Sequence, residues 1–184
     1  MHCERRAGLN AMDPLHIDTI ALPGGGVIGM THCPGRARPD ASGRVWSRNL
    51  ADDVQTVRTA GFTTVLTLLP TEELLALGAG HLEAQVQQAG MQWLQFPIAD
   101  FGIPDASARA VWHTLEAQVL KKLQAREHLL VHCAAGLGRT GTMVAKLLTA
   151  LGHDSETAIA LVRAARPGTI ETEAQRAFVL GLSG

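Results

Sequence analysis

Apolar and polar positions along the chain follow two spacings, which predict strands separated by helices. Runs of apolar and β-branched residues predict strands at 15–22, 27–30, 63–69, 91–98 and 129–132. Apolar residues spaced three or four apart predict helices at 50–60, 71–75, 81–89, 106–126, 140–151, 155–165 and 173–182. This alternation is typical of an α/β domain, so we predict a mostly parallel central sheet flanked by helices, with a helical C-terminal third.

The length of 184 residues is that of one domain, with enough interior for a sizeable core. We expect a flexible N-terminal lead over residues 1–14 and the folded domain over 15–184. We find neither a signal-peptide pattern nor an apolar run of the roughly 18 residues that a membrane span requires. Three cysteines form an odd and sparse set that fits a reducing compartment. The expected location is therefore the cytoplasm.

Charge and aromatic content exclude several classes of partner. The formal net charge is −1, aromatic residues make up 4% of the chain, and there is no tyrosine. Such a chain lacks the positive electrostatic potential that binds nucleic acid or an anionic membrane, and it has few aromatic rings on which bases could stack. No Cys-x2-Cys or His-x3-His spacing points to a zinc site. We expect no nucleic-acid partner, no membrane partner and no metal. The sequence does not indicate whether the protein is a monomer or an oligomer.

One segment carries candidate chemistry: residues 131–141, which read VHCAAGLGRTG and join a predicted strand to a predicted helix. In an α/β fold this junction lies at the C-terminal edge of the sheet, where ligand sites gather. The free N–H groups of the first helical turn and the helix dipole bind anions, and Gly136 and Gly138 allow the loop to curl around them. Cys133 begins the curl, where converging N–H dipoles favour its thiolate.

Two further residues suit this loop to a phosphate group. Arg139 offers a planar pair of donors that matches two phosphate oxygens. Thr140 offers a hydroxyl that stabilises the sulfur when it is expelled. A thiolate beneath a cradle for a tetrahedral dianion is a nucleophile aimed at phosphorus. The alternative is that Cys133 is a buried structural thiol. The spacing of Cys133 relative to Gly136 and Arg139 argues against this alternative.

The sequence His132-Cys133-x5-Arg139 resembles the signature of the cysteine-dependent protein tyrosine phosphatase superfamily, in its dual-specificity branch. Residues 96–105 are similar to the general-acid loop of the kinase-associated phosphatases, and the likeness extends over residues 26–182. The resemblance implies catalysis by Cys133 without a metal or organic cofactor, and a supporting role for His132. It also implies phosphate binding by Ala134, Ala135, Gly136, Leu137, Gly138 and Arg139.

Cleavage of a P–O bond needs a proton for the leaving oxygen, and the expected donor is a carboxyl group on a loop that faces the signature. Asp100 lies on a loop after a predicted strand, and its separation from Cys133 resembles that in the family. Asp105 is the alternative, but it directly precedes the long helix and is suited to cap it. We therefore predict that Asp100 is the general acid.

The start of the last predicted helix carries two supporting candidates. The resembling tyrosine phosphatases commonly have Gln-Thr-x-x-Gln here, and their glutamines orient the water that attacks the thiophosphate. This chain has Glu171-Thr172-Glu173-Ala174-Gln175 instead. We hypothesise that Gln175 is the main positioner and that Glu171 tunes it. The alternative is local: Thr172 and Gln175 form a capping box, and Glu171 is a solvated charge.

The combined prediction is a phosphatase that acts on phosphotyrosine and phosphoserine or phosphothreonine of a phosphoprotein through a cysteinyl-phosphate intermediate. The alternative enzyme hydrolyses a phosphoinositide or another small phosphomonoester, although the uncharged signature loop argues against a highly anionic substrate. The non-enzymatic alternative is a phosphopeptide-binding module, which the retained Cys133 and Arg139 disfavour. Cys33 is either an ordinary buried cysteine or a partner that forms a reversible disulfide with Cys133.

Overall fold

A five-stranded sheet forms the centre of the fold. The computed structural model describes residues 14–39, 43 and 45–182. The strands are β1 (Asp18–Ala21), β2 (Val27–Thr31), β3 (Thr64–Thr67), β4 (Gln92–Gln95) and β5 (His128–His132). Their order across the sheet is β1-β2-β5-β3-β4. The edge strand β1 pairs antiparallel with β2 and the other neighbouring pairs are parallel, which confirms the mostly parallel sheet.

Helices lie in every connection between strands except the turn from β1 to β2, and they form the C-terminal third of the domain. They are α1 (Leu50–Thr59), α2 (Thr71–Ala76), α3 (Leu82–Gln88), α4 (Ala106–Gln124), α5 (Gly138–Ala150), α6 (Ser155–Ala165) and α7 (Glu173–Val179). The three C-terminal helices pack on one another, with α5 against both α6 and α7, whereas α1 packs against α3. This arrangement confirms the predicted α/β class and its helical C-terminal third.

The strand β5 is enclosed by β2 on one side and β3 on the other. Its residues 129–131 are apolar and buried, as expected of a strand that is covered on both faces. Because β2, β3 and β5 are parallel, their C-terminal ends meet at one edge of the sheet. Thr31 and Thr67 therefore lie on either side of His132. The segments that follow these three strands therefore all begin at this edge of the sheet.

The helix after the signature begins earlier than the sequence predicts. We predicted its start at residue 140, and this is wrong: α5 begins at Gly138, with Leu137 as an N-cap that makes no side-chain hydrogen bond. The chain becomes helical soon after the turn at Gly136, so Arg139 lies in the first helical turn. At the other end of the domain, α7 ends at Val179 and not at residue 182.

The N-terminal lead that we predicted falls almost wholly on residues 1–13, which lie outside the described residues, so the domain boundary stays a prediction. The first buried apolar side chain of the described chain is that of Leu15, which joins the core. No helix within residues 14–39, 43 and 45–182 is both long and apolar enough to cross a membrane.

Candidate active site

The signature loop, defined here as residues 133–138, leads from the C-terminal end of β5 into α5. Cys133 is the first residue after the strand and is buried. Arg139 follows the loop in the first turn of α5, with only 2% of its side chain exposed. The loop thus lies at the sheet edge where the parallel strands end, which is where the sequence predicts it.

Two glycines shape the signature loop for different reasons. Gly136 has a φ of +73°, in the left-handed region that favours glycine, and a Cβ there would overlap the Thr31 carbonyl oxygen. Gly138 is helical, so the predicted role in curling the loop belongs to Gly136. A Cβ on Gly138 would instead overlap Glu171 Oε2 and lie 2.9 Å from Gln175 Nε2. The second glycine therefore allows a close approach by the start of α7.

Carbonyl groups of the signature loop accept hydrogen bonds from donors outside the loop. Ala134 O accepts from Cys33 N at 3.1 Å. Ala135 O and Gly136 O accept from Arg166 Nη2 at 3.0 Å and Arg166 Nε at 2.7 Å. The peptide unit is planar and trans, so its N–H points away from its C=O. Outward carbonyls leave the N–H groups directed inward, which is the arrangement that an anion cradle requires.

The guanidinium group of Arg139 is held by two carboxylates and a carbonyl. Its Nη1 donates to Glu73 Oε2 at 2.7 Å and to Ile98 O at 3.1 Å. Its Nη2 donates to Glu73 Oε1 at 2.8 Å and lies 2.9 Å from Asp100 Oδ1. Burial by itself lowers the pKa of Arg139, but Glu73, Cys133 and Asp100 together raise it above its usual value. Arg139 is a fixed and permanent cation at the end of the loop.

Glu73 is a residue that the sequence reasoning missed. It lies in the first turn of α2, which begins shortly after β3, the strand beside β5. An acidic residue in the first turn of a helix ordinarily stabilises the helix dipole, so the local sequence does not identify Glu73 as a residue of the site. The available signal was positional: a carboxylate placed just beyond a predicted parallel strand reaches the same sheet edge as the signature.

Asp100 lies on the loop between β4 and α4, and the structure brings it to Arg139. Its side chain is 63% exposed, so the carboxyl group also faces solvent. Phe101 N donates to Asp100 Oδ1 at 3.1 Å, and the φ of Phe101 is +54°, which is unusual for a residue with a β-carbon. The Phe101 side chain is itself exposed.

Asp105, the alternative acid, is the N-cap of α4. Its Oδ1 accepts from Ser107 Oγ at 2.7 Å and from Ala108 N at 2.8 Å. These two hydrogen bonds, that of the Ser107 hydroxyl foremost, hold the pKa of Asp105 below its usual value. This is the capping geometry that the sequence indicates, and it occupies the side chain at the helix end.

His132 lies at the end of a buried chain of hydrogen bonds. Trp93 Nε1 donates to Thr67 Oγ1 at 2.9 Å, and Thr67 Oγ1 lies 2.7 Å from His132 Nε2. His132 Nδ1 faces Cys133 O at 3.3 Å, and a carbonyl only accepts, so Nδ1 carries the proton and Nε2 accepts from the threonine hydroxyl. Burial lowers the pKa of His132 to about 4. The ring is therefore neutral at ordinary pH and orients the Cys133 peptide.

The remaining side chains considered for the site are Thr140 and the two buried cysteines. The Thr140 hydroxyl is buried and has no hydrogen-bond partner among the described residues. Cys33 and Cys133 are both free thiols. Burial raises the pKa of Cys33 well above the usual value of a thiol, and its Sγ lies 3.5 Å from Pro34 O. Cys33 is thus an inert thiol as it stands, and its pairing with Cys133 stays a hypothesis.

The start of α7 contains the predicted capping box. Thr172 Oγ1 accepts from Gln175 N at 3.1 Å, and Gln175 Oε1 accepts from Thr172 N at 3.2 Å and from Glu171 N at 2.9 Å. Gln175 is fully buried, and its Nε2 donates to Gly102 O at 3.4 Å on the Asp100 loop. Glu171 is not a remote charge, since its Oε2 lies against Gly138. Both candidates therefore adjoin the loops of the site.

Metal-binding side chains do not cluster in the described part of the chain. Within residues 14–39, 43 and 45–182, no group of three or more His, Cys, Asp or Glu side chains is placed to hold a metal ion. The groups that converge here are a thiol, a guanidinium, loop N–H groups, the Glu73 carboxylate and the exposed carboxyl group of Asp100. Such a set can bind a tetrahedral oxyanion against a sulfur nucleophile.

Residues 45–179 match the family model described as "Swiss Army Knife protein, DSP-PTPase phosphatase domain". The match covers most of the chain, which therefore belongs to this family of the cysteine-based protein tyrosine phosphatase superfamily. The matched family is that of dual-specificity-like phosphatase domains, the class that the signature resembles.

Curated relatives share a part of their length with this chain. "Protein tyrosine phosphatase domain-containing protein 1" of Mus musculus is 33% identical over 99 residues, which are 53% of this chain and 13% of that protein. "Cyclin-dependent kinase inhibitor 3" of Rattus norvegicus is 30% identical over 101 residues, which are 55% of this chain and 46% of that protein. The matched region is less than half of each of these two relatives.

Solved structures with the same fold include other phosphatases. A kinase associated phosphatase with serine in place of its catalytic-site cysteine has a TM-score of 0.78 at 24% identity, covering 94% of this chain and 99% of that one. PTPMT1 in complex with PI(5)P has a TM-score of 0.67 at 19% identity, covering 90% of this chain and 94% of that one. These likenesses confirm the predicted fold.

Proposed function

We propose that this chain is a metal-independent protein phosphatase, acting on phosphotyrosine and on phosphoserine or phosphothreonine through a cysteinyl-phosphate intermediate. One observation carries the proposal: a buried Cys133 opens a loop with inward N–H groups, next to a fixed Arg139 that contacts the loop aspartate Asp100. The names of two similar proteins, a cyclin-dependent kinase inhibitor and a kinase associated phosphatase, refer to kinases and support a protein substrate.

In the first step, the thiolate of Cys133 attacks phosphorus, an S–P bond forms, and the P–O bond to the leaving alcohol breaks. The loop N–H groups and Arg139 bind the other phosphate oxygens and stabilise the charge that builds up on them. A phosphate bound to Arg139 brings its ester oxygen close to Asp100, which lies 2.9 Å from the same guanidinium. Asp100 gives that oxygen its proton and becomes a carboxylate.

In the second step, a water molecule attacks the phosphorus of the intermediate and the S–P bond breaks. The Asp100 carboxylate takes the proton of the water, and inorganic phosphate and the thiolate are released. The hydroxyl of Thr140, which has no partner in the part of the chain that the structure describes, is available to donate to the sulfur as it leaves. His132 stays neutral throughout and holds the Cys133 peptide in place.

The test is release of phosphate by the full chain in EDTA, from p-nitrophenyl phosphate, phosphotyrosyl and phosphothreonyl peptides and a short-chain phosphoinositide. We expect turnover of the first three, because the signature loop has no charged side chain for the additional phosphates of a phosphoinositide, and two acids lie nearby: Glu73 contacts Arg139 and Glu171 lies against Gly138. Faster turnover of the phosphoinositide would favour the lipid alternative. Vanadate binding without turnover would identify a binding module.

Selective alkylation of Cys133 is a first prediction, because the inward N–H groups of the loop stabilise negative charge on a sulfur at its first position. Iodoacetate at mildly acidic pH should modify Cys133 rapidly, and inorganic phosphate or vanadate should protect it. Cys33 is the internal reference, since burial raises its pKa. Peptide mass spectrometry follows both sites, and equal rates at Cys133 and Cys33 would refute an activated nucleophile.

The two candidates at the start of α7, Glu171 and Gln175, give a second prediction. Glu171 Oε2 lies against Gly138, so its charge opposes the phosphate dianion held by the loop. Glu171→Gln should speed breakdown of the intermediate roughly two- to fivefold. This factor corresponds to the interaction free energy of a partly exposed pair of charges. Gln175→Ala should show a burst of product followed by a lowered steady rate, because the cap that places the start of α7 is lost.

Stopped-flow measurement with a fast aryl phosphate separates the burst from the steady phase for both variants. Glu173→Gln is the matched control, because Glu173 also lies at the start of α7 but its side chain is 83% exposed and directed toward Arg176. Its kinetics should equal those of the wild type. If Glu171→Gln and Gln175→Ala also leave the steady rate unchanged, the segment is a helix cap and has no part in hydrolysis.

A further inference from the structure

Arg166 joins three parts of the fold behind the signature loop. It is the C-cap of α6, and its guanidinium donates to Gly136 O at 2.7 Å and to Ala135 O at 3.0 Å. Its Nη1 donates to Asp18 Oδ2 on β1 at 2.6 Å. The side chain is only 13% exposed, although its hydrogen bond to Ala135 O lies at an exposed position. Neither the signature nor the predicted acid loop includes this residue.

We propose that Arg166, fixed by Asp18, is a positioning residue that holds the signature loop in its anion-binding shape. This inference rests on the proposed function. The Ala135 carbonyl shares a planar peptide with the Gly136 N–H, and the Gly136 carbonyl shares one with the Leu137 N–H. By turning both carbonyls outward, Arg166 directs both N–H groups inward, where the phosphate oxygens bind.

The left-handed residue of the loop explains why such a restraint is needed. Gly136 has a φ of +73° and, having no β-carbon, is the most freely rotating point of the loop. The peptides on either side of it are the two that Arg166 contacts. The Ala134 carbonyl, further from this point, accepts from other groups, Cys33 N at 3.1 Å and Arg36 Nη1 at 3.3 Å. Arg166 therefore restrains the part of the loop that glycine leaves free.

The geometry of the contact points to the shape of the guanidinium rather than to its charge. Asp18 faces Arg166 at 2.6 Å and offsets its positive charge, and Asp18 Oδ1 in turn lies 2.8 Å from His16 Nε2. A guanidinium presents fixed, coplanar donors that can bridge two carbonyls and a carboxylate. An ammonium group on a flexible stem is a point charge and does not reproduce the bridge.

Three variants of the full chain test this role: Arg166→Met, Arg166→Lys and the control Arg176→Met. Arg176 lies on α7 and pairs with the exposed Glu156 at 2.7 Å, away from the signature loop. Arg166→Met should weaken vanadate inhibition about 10- to 100-fold, as with other groups that orient binding residues. It should also shift the alkylation of Cys133 to higher pH, and Arg166→Lys should recover little of either loss.

Arg176→Met should match the wild type in vanadate inhibition and in the pH profile of alkylation. Thermal melts without vanadate report the folded fraction, and Arg166→Lys carries the test if Arg166→Met does not fold. Unchanged vanadate binding and an unchanged alkylation profile in folded Arg166 variants would overturn the inference, as would full recovery by Arg166→Lys. Failure of the proposed function gives a different result, namely a wild type that binds vanadate without turnover, and the pH profile of Cys133 alkylation then still tests Arg166.

Discussion

Replacement of Cys133 by serine is expected to abolish turnover of p-nitrophenyl phosphate and leave the fold intact. A serine hydroxyl at the start of the loop does not ionise as a thiol does, so no covalent intermediate forms. Loss of a covalent nucleophile costs on the order of 10⁵-fold or more in turnover. Serine is close to cysteine in shape, and the loop N–H groups and Arg139 remain. Vanadate should therefore still stabilise the variant in a thermal melt.

Cys33→Ser is the matched control for this variant. Cys33 is also buried at the same sheet edge, and its side chain contacts only the Pro34 carbonyl among the hydrogen-bond acceptors of the described residues. Its replacement should keep turnover within about a factor of three, with at most a modest loss of stability. Turnover that survives Cys133→Ser, or that disappears in Cys33→Ser alone, would place the nucleophile elsewhere.

The strand and loop of the signature were predictable because the information is local. The apolar run at 129–132 predicts β5, which spans His128–His132. The left-handed conformation of Gly136 follows from the demand for a tight curl. The start of α5 was predicted two residues too late, because the apolar spacing that predicts the helix does not mark Gly138 and Arg139. The structure has instead an uncapped start at Leu137, which leaves the first N–H groups free for a ligand.

Contacts between distant segments were not predictable from these patterns. Arg139 and Glu73 are 66 residues apart in sequence, and Arg166 is 30 residues from Gly136. Each contact depends on the order of the strands, with β5 inserted between β2 and β3, and hydrophobic spacing does not encode that order. Gly138 was predicted to curl the loop, whereas the structure shows that it allows the close approach of Glu171. This contact was also unpredictable, because Glu171 comes from a distant part of the sequence.

Asp100 and Asp105 show how a local rule and a tertiary contact can be separated. The capping rule predicts the role of Asp105, which accepts from Ala108 N at 2.8 Å. Asp100 follows no local rule, and its contact with Arg139 arises because β4 and β5 end at the same edge of the sheet. The assignment of Asp100 as the acid is therefore the part of the site that most needs a kinetic test.

Asp100→Asn is expected to slow the release of alkyl alcohols far more than that of p-nitrophenolate. An alkoxide is a poor leaving group and needs a proton, whereas p-nitrophenolate leaves readily without one. General acids contribute about 10²- to 10⁴-fold, so we expect a loss in this range for a phosphothreonyl peptide and a smaller loss for the aryl ester. The rate should also cease to fall as the pH rises, because an amide has no acidic proton to lose.

Asparagine makes this a test of the proton and not of the contact. Its amide oxygen can still accept from Arg139 Nη2, which lies 2.9 Å from Asp100 Oδ1, so the loop should keep its place and vanadate binding should change little. Asp105→Asn is the paired control, because asparagine is as good an N-cap as aspartate and α4 should be preserved. A loss that depends on the leaving group in Asp105→Asn but not in Asp100→Asn would reverse the assignment. An equal loss for both substrates in Asp100→Asn would mean that this carboxyl group orients Arg139 and does not give the proton.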